Sequence, residues 1–182
     1  MRDVFRPFLR HLLPVVTLAA LASFTSGQDS GPEVVFTDPN VDFTFILPNT
    51  TWKMIVKPTA ADPSVEYVYG DRVEGHLEIR RIQVKSTDLL SDLISQEEQK
   101  LQFALGFVAG KEENITGKLR GVVYNYEFVR AGRPMAGRFY YLRAGDTTVY
   151  VLRFTGRKDN LRRILSQTDS IARTFNLAVP KA

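Results

Sequence analysis

Three segments in the second half of the chain constrain the fold most strongly. They cover residues 122–129, 135–143 and 147–155, are rich in β-branched and aromatic residues, and are joined by short connections that contain glycine. Connections of this kind join neighbouring antiparallel strands, so the pattern predicts a three-stranded meander. Residues 149–152 are apolar without alternation, which is typical of a central strand covered on both faces. We therefore expect layers on both sides of a sheet.

The rest of the chain predicts further strands and two helices. Strand-like runs, separated by turn-forming residues, cover 34–37, 43–47, 52–56, 65–69 and 73–85. Apolar residues at three- and four-residue spacing predict a helix over 88–107, with Thr87 or Asp88 as its cap. A final helix is predicted from about Asn160 to Phe175, with Asp159 as its N-cap. The fold class predicted is therefore α+β, with helices packed against an antiparallel sheet.

Residues 1–27 have the pattern of a secretory signal peptide. Three arginines within the first ten residues precede an uncharged stretch over 12–24, and small residues follow it. This stretch of 13 residues, interrupted by Pro14, is shorter than the roughly 20 that a membrane-spanning helix needs. We expect cleavage before Gln28, a secreted or periplasmic protein, and no stable membrane span after cleavage.

The remaining residues predict a short tail and a single domain. Residues 28–33 are small, polar or turn-forming, which is typical of a flexible N-terminal tail. At 182 residues one domain is the default, and we expect it to cover 34–177. A chain of this size buries enough surface to fold without a disulfide or a structural metal, and it contains no Cys.

Several short motifs in this domain are similar to those of one known superfamily. They are Gly-Arg-Phe-Tyr-Tyr-Leu at 137–142, Tyr-Val-Leu-Arg-Phe-Thr-Gly at 150–156, Ile-Ala-Arg-Thr-Phe at 171–175, and Phe-Thr-Phe-Ile-Leu-Pro at 43–48 before Trp52. In these stretches the chain resembles the PsbP-like domains, the superfamily of the photosystem II extrinsic subunit PsbP and the Ran-binding Mog protein. The resemblance implies an α/β/α sandwich on an antiparallel sheet. It implies no reaction, because members act mainly by binding or assembly.

Catalytic and metal chemistry has little support in the sequence. The absence of Cys excludes thiol catalysis, Cys-bearing zinc sites, iron–sulfur clusters and a lipid-modified N-terminal Cys. His76 is the one imidazole beyond the signal peptide, and without a Gly-x-Ser-x-Gly motif it is interpreted as an ordinary strand histidine. Asp and Asn alternate over 38–42 as at the start of an EF-hand loop, but Phe43 and Asn49 stand where Gly and Glu are needed. We predict no catalytic residue, no metal and no cofactor.

The order of charges along the chain is its least ordinary feature. Residues 28–117 carry 8 basic and 15 acidic side chains, whereas 118–163 carry 11 basic and 3 acidic ones. The basic set is mostly Arg, which suits bidentate contacts with carboxylate or phosphate. Either the arginines pair with acids of the first half when the sheet assembles, or they form a basic face. For the second interpretation the candidate binding residues are Arg130, Arg133 and Arg138, around one predicted hairpin.

These observations favour one function and leave an alternative open. The leading hypothesis is an exported, non-enzymatic binding or assembly domain that contacts a protein partner or an anionic envelope component. The alternative is a secreted hydrolase with dispersed carboxylates, for which a cleft holding two acids with strongly shifted pKa values would be diagnostic. Export argues against a nucleic-acid partner. The sequons at Asn49 and Asn114 matter only in a eukaryotic secretory pathway, and the sequence leaves the oligomeric state open.

Overall fold

The structure, a computed structural model, describes residues 32–178. In chain order the elements are β1 (Val34–Phe36), β2 (Phe43–Leu47), β3 (Trp52–Val56), β4 (Val65–Tyr69), β5 (Asp71–Gln83), α1 (Leu90–Leu101), β6 (Val108–Thr116), β7 (Arg120–Arg130), β8 (Arg133–Arg143), β9 (Thr148–Arg157), α2 (Lys158–Arg163), α3 (Leu165–Thr174) and β10 (Asn176–Leu177). The predicted signal peptide over 1–27, and residues 28–31 of the predicted tail, lie outside the described residues.

Two antiparallel sheets build the molecule. The large sheet has seven strands in the order β3-β4-β5-β9-β8-β7-β6, and the small sheet has three in the order β1-β2-β10. The predicted meander is confirmed, because β7, β8 and β9 are consecutive neighbours. Strand β5 pairs with β9 over eight residues, which joins the first half of the chain to the meander. The α+β class with an antiparallel sheet is therefore confirmed.

Strand β9 separates two hydrophobic cores. Tyr150 and Leu152 point into a core that also contains residues of β2, α2 and α3. Val149 and Val151 point to the opposite face, into a core that contains Ile94 of α1. The side chains of all four residues over 149–152 are buried, which confirms the prediction of a strand covered on both faces. The small sheet, α2 and α3 thus form one outer layer, and α1 forms the other.

The segment after α1 differs from the prediction. The helix ends at Leu101 rather than at 107, and Gly106 adopts a left-handed conformation with φ of 63° in the connection that follows. Strand β6 then forms an edge of the large sheet, and Ile115 is its one buried residue. Polar side chains on an edge strand discourage pairing with other molecules, but they remove the apolar alternation by which a strand is recognised in sequence.

The final helix and both predicted caps also need correction. The predicted helix is interrupted at Ile164, with φ of −96° and ψ of 17°, which divides it into α2 and α3. Helix α2 begins after Arg157 rather than after Asp159, and α1 begins after Leu89 rather than after Thr87 or Asp88. Within residues 32–178 no helix is long and apolar enough to cross a membrane.

One side chain provides a direct test of how α1 is held. Ile94 is the buried residue of α1, with 0% exposure, whereas Leu89 at the start of the helix is 65% exposed. Replacing Ile94 with Ala leaves a cavity against the sheet, so we expect Ile94→Ala to lower the free energy of unfolding by about 2–5 kcal/mol in urea titrations. The matched control Leu89→Ala should change it by less than about 0.5 kcal/mol. Equal effects of the two variants would contradict this packing.

Candidate functional site

Two of the predicted candidates, Arg130 and Arg133, face each other across a tight hairpin. They are direct partners in the β7–β8 register, and the residues between them, Ala131 and Gly132, have φ of 49° and 72°. Both arginines are exposed, and among residues 32–178 neither forms an ion pair. Like charges that face each other across two strands destabilise a sheet. The same register places Arg120 opposite Arg143 at the other end of these strands. Among residues 32–178, no acidic side chain relieves the repulsion between Arg130 and Arg133.

Exposed apolar side chains lie at the same end of the sheet. Phe103 is 84% exposed and Leu105 73%, although side chains of this kind are usually buried. The backbone N–H of Val129 donates to the carbonyl of Leu105 at 2.7 Å, which holds the α1–β6 connection beside the hairpin. We call Phe103, Leu105, Arg130 and Arg133 together the hairpin-end surface.

Local contacts keep this surface positively charged. The guanidinium carbon of Arg130 lies 5.4 Å from the centre of the Phe128 ring, which orients the side chain without neutralising it. The acid of β7, Glu127, is paired with Lys158 of α2 at 2.6 Å. The hairpin-end surface thus combines two uncompensated positive charges with exposed aromatic and aliphatic groups.

The third candidate, Arg138, has a different environment. It is 8% exposed and donates to the Tyr140 hydroxyl at 2.6 Å, to Asn125 Oδ1 at 2.6 Å and to Asp169 Oδ1 at 2.8 Å. The Tyr140 hydroxyl donates to the same Asp169 oxygen at 2.6 Å. Burial raises the pKa of Tyr140, so this hydroxyl stays protonated and able to donate. Arg138 links the sheet to α3, and the structure does not bring it together with Arg130 and Arg133.

Other arginines explain much of the charge order. Arg153 of β9 pairs with Glu97 of α1 and lies 3.9 Å from Glu78, its register partner on β5. Arg157 of β9 pairs with Glu74 of β5 at 3.2 Å. Basic residues of the second half and acidic residues of the first half therefore meet where β5 joins β9. For these arginines, the structure agrees with the interpretation in which they pair with acidic side chains of the first half of the chain.

The remaining chemical candidates make structural contacts. His76 Nε2 lies 2.9 Å from a Glu66 oxygen that also accepts from Arg72. Asp38 Oδ1 accepts from the backbone N–H of Asn40 at 2.9 Å, which forms a local turn. Asp42 accepts from the Tyr150 hydroxyl at 2.5 Å. Over the described part of the chain no three His, Asp or Glu side chains are grouped so as to hold a metal ion.

The apolar part of the hairpin-end surface has one signal in the sequence. The helix predicted over 88–107 includes Leu105 among its apolar residues, whereas α1 ends at Leu101 and Leu105 is exposed. Phe103 lies outside the apolar spacing of that predicted helix. A large aromatic residue outside the apolar stripe of an amphipathic helix indicates exposure, and it was the available signal for this surface.

Comparison with known proteins identifies the fold. No protein-family model matches the chain, and no curated protein sequence matches it significantly. The solution structure of cyanobacterial PsbP (CyanoP) from Synechocystis sp. PCC 6803 is 12% identical with a TM-score of 0.57, and the match covers 87% of this chain and 99% of that chain. A point mutant of Mog1 is 12% identical with a TM-score of 0.54, and the match covers 75% and 90%. This chain has the PsbP-like fold.

A third solved structure is similar to this chain. A protein from Bacteroides thetaiotaomicron is 15% identical with a TM-score of 0.53, and the match covers 82% of this chain and 49% of that one.

Within the PsbP-like fold, the motifs at 137–142 and 150–156 lie on β8 and β9, and the motif at 171–175 ends α3. They belong to the core that the fold requires, whereas the hairpin-end surface lies outside them.

The different environments of the three arginines can be tested by stability. Arg138→Ala removes the partner of a half-buried carboxylate and a buried hydroxyl, so we expect the free energy of unfolding to fall by about 3 kcal/mol. This is the lower end of the range for buried pairs, because the Asp169 side chain is 30% exposed. Arg133→Ala is the matched control and should change the value by less than about 0.5 kcal/mol. Urea titration measures both, and a larger loss for Arg133→Ala would contradict the assignment.

Proposed function

We propose that this protein is an exported, non-enzymatic binding domain that attaches to an anionic lipid surface of the cell envelope through the hairpin-end surface. The observation that carries the proposal is the pair Arg130 and Arg133. Their charges face each other without an acidic partner among residues 32–178, beside the exposed Phe103 and Leu105. An external anion would relieve the repulsion that the fold itself leaves in place.

The chemistry of the surface suits a lipid headgroup layer. Arginine makes bidentate contacts with phosphate, and each basic side chain near an anionic leaflet contributes about 1 kcal/mol. Aromatic and aliphatic side chains beside such charges enter the boundary between headgroups and acyl chains. A backbone hydrogen bond holds Leu105 beside Val129, and Phe103 lies two residues before Leu105 in the same connection. Arg130 and Arg133 flank the adjacent hairpin turn.

The carboxylates support binding rather than catalysis. A hydrolase of the alternative kind needs two acids that are free to exchange protons with a substrate. The partly buried acids Glu66, Glu78 and Glu97 are held by basic side chains, and so is Asp169 beside Arg138. The resemblance to PsbP-like domains, which act mainly by binding or assembly, points in the same direction.

The proposal predicts a loss of vesicle binding when the hairpin arginines are removed. In low salt we expect the protein to co-sediment with vesicles of phosphatidylcholine and phosphatidylglycerol, and the double variant Arg130→Ala and Arg133→Ala to bind about 30-fold more weakly. Phe103→Ser should weaken binding by about tenfold, because the loss of a buried Phe side chain costs on the order of 1.5 kcal/mol. High salt should weaken the wild-type protein by screening.

A matched control removes the same charge elsewhere. Arg120 and Arg162 are also exposed and make no ion pair within the described residues. The double variant Arg120→Ala and Arg162→Ala should therefore retain most of the binding. No co-sedimentation with anionic vesicles in low salt would refute the proposal, and crosslinking to an acidic envelope protein would then identify a protein partner instead. If both double variants lose the same amount of vesicle binding, the binding depends on net charge and not on the hairpin-end surface.

Export has a test of its own. The protein recovered from the envelope or the medium should begin at Gln28, as shown by N-terminal sequencing and intact mass. A charge in the apolar stretch of a signal peptide blocks its recognition, so Leu18→Arg should leave residues 1–27 attached and retain the protein inside the cell. A wild-type chain that keeps residues 1–27 would contradict cleavage.

A further inference from the structure

Arg130 and Arg133 project from the same face of the large sheet. They are register partners in β7 and β8, and the side chains of such partners point to the same side, with Cβ atoms about 5 Å apart. The guanidinium of Arg130 lies over the ring of Phe128, which belongs to the core beneath α1. The α1–β6 connection packs against that core through Ala104 and Phe107. Both basic side chains therefore lie on the side of the sheet that carries this connection.

The neighbouring acidic side chains have other partners. Glu127 lies three residues before Arg130 on β7, so its side chain points to the opposite face of the sheet, where it pairs with Lys158 at 2.6 Å. Glu97 of α1 is paired with Arg153. Over residues 32–178, the charges of the hairpin arginines are not neutralised by an ion pair. Both charges can therefore be directed at one external anion.

The hairpin turn keeps the two arginines adjacent. Ala131 and Gly132 alone join the strands, with left-handed φ angles of 49° and 72°. Among residues 32–178, Ala131 is the one non-glycine residue with a positive φ, a conformation that alanine rarely adopts. Two left-handed residues form the tight turn that matches the twist of paired strands. The two arginines are thus positioned before a ligand arrives, which reduces the entropy lost on binding.

Two adjacent guanidinium groups match one kind of phosphate. A phosphate monoester carries a charge of about −1.5 to −2 at neutral pH and presents three strong acceptor oxygens. A phosphodiester is esterified twice, so it carries a single charge and fewer free oxygens. Because a guanidinium makes bidentate contacts with phosphate oxygens, one arginine satisfies a diester, whereas a monoester can engage two. The hairpin therefore suits a doubly charged phosphate.

We infer that the lipid bound by the hairpin-end surface has a phosphate monoester as its headgroup, held by Arg130 and Arg133 together. This inference rests on the lipid attachment proposed above and names the headgroup class. Phe103 and Leu105 are exposed beside the hairpin, and apolar side chains next to basic ones enter the boundary between headgroups and acyl chains. A lipid therefore fits this surface better than a soluble phosphate, which offers nothing to the apolar side chains.

The experiment compares two sets of phosphatidylcholine vesicles by co-sedimentation in low salt. One set contains phosphatidic acid, a phosphate monoester, and the other contains phosphatidylglycerol, a phosphodiester, at mole fractions adjusted to the same zeta potential. We expect the protein to bind the phosphatidic acid vesicles about tenfold more tightly, because only that headgroup engages both arginines in charge-assisted hydrogen bonds. Inorganic phosphate at matched ionic strength should not displace the protein from them.

Single variants test whether the two arginines act on one phosphate. Arg130→Ala and Arg133→Ala should each bind phosphatidylglycerol vesicles about fivefold more weakly and should each lose the preference for phosphatidic acid. Arg120→Ala is the matched control, because it removes the same charge from the other end of β7. Arg120 also faces an arginine, Arg143, but Arg143 donates to the backbone carbonyls of Asp88 and Asp146. This control should keep the tenfold preference.

The possible outcomes separate the headgroup from the attachment. Equal affinity for the two sets of vesicles would overturn the phosphate monoester and leave lipid attachment standing. The same conclusion follows if Arg130→Ala and Arg133→Ala keep the preference, or if Arg120→Ala loses it as they do. Displacement by inorganic phosphate would overturn the lipid source in favour of a soluble phosphate. Absence of binding to either set would refute lipid attachment itself, and the headgroup assignment with it.

Discussion

The structure depends on the pairing of β5 with β9. Strand β9 is buried on both faces, so its backbone needs hydrogen-bonded neighbours on both sides, and β5 supplies one of them over eight register pairs. The same pairing brings Glu78 opposite Arg153 and Glu74 beside Arg157. A chain with segregated acidic and basic halves therefore becomes a sheet in which many opposite charges meet. The two cores, and the helices that cover them, are arranged around this junction.

Much of this architecture could be predicted because apolar periodicity reports burial. The meander, the short strands of the first half and the strand over 149–152 were predicted for that reason, and the motifs near 137–142 and 150–156 pointed to the PsbP-like fold. Strand β6 could not be predicted in this way, because its side chains are exposed and backbone pairing with β7 holds it in place. The break at Ile164 could not be predicted either, because the apolar spacing continues from α2 into α3 without a Gly or Pro.

The functional surfaces were harder to predict, for two physical reasons. Sequence distance does not tell an exposed arginine from a buried one, so Arg138 was grouped with Arg130 and Arg133 although it serves the contact between sheet and helix. The hydrogen bond between Asn49 and Gln167 could not be predicted at all, because it joins separate segments and is a consequence of tertiary packing. Single residues such as His76 were easier to judge, since a catalytic role needs partners that the sequence did not supply.

The polar edge strand β6 has a consequence for the evolution and dynamics of this protein. Because only Ile115 among its residues is buried, most substitutions along β6 remove no packing, and the strand can drift in sequence while the fold persists. For the same reason its detachment exposes little apolar side-chain area on β6 itself, so local opening of this edge has a low cost. Variation between homologues should therefore concentrate on this edge and leave β9 almost unchanged.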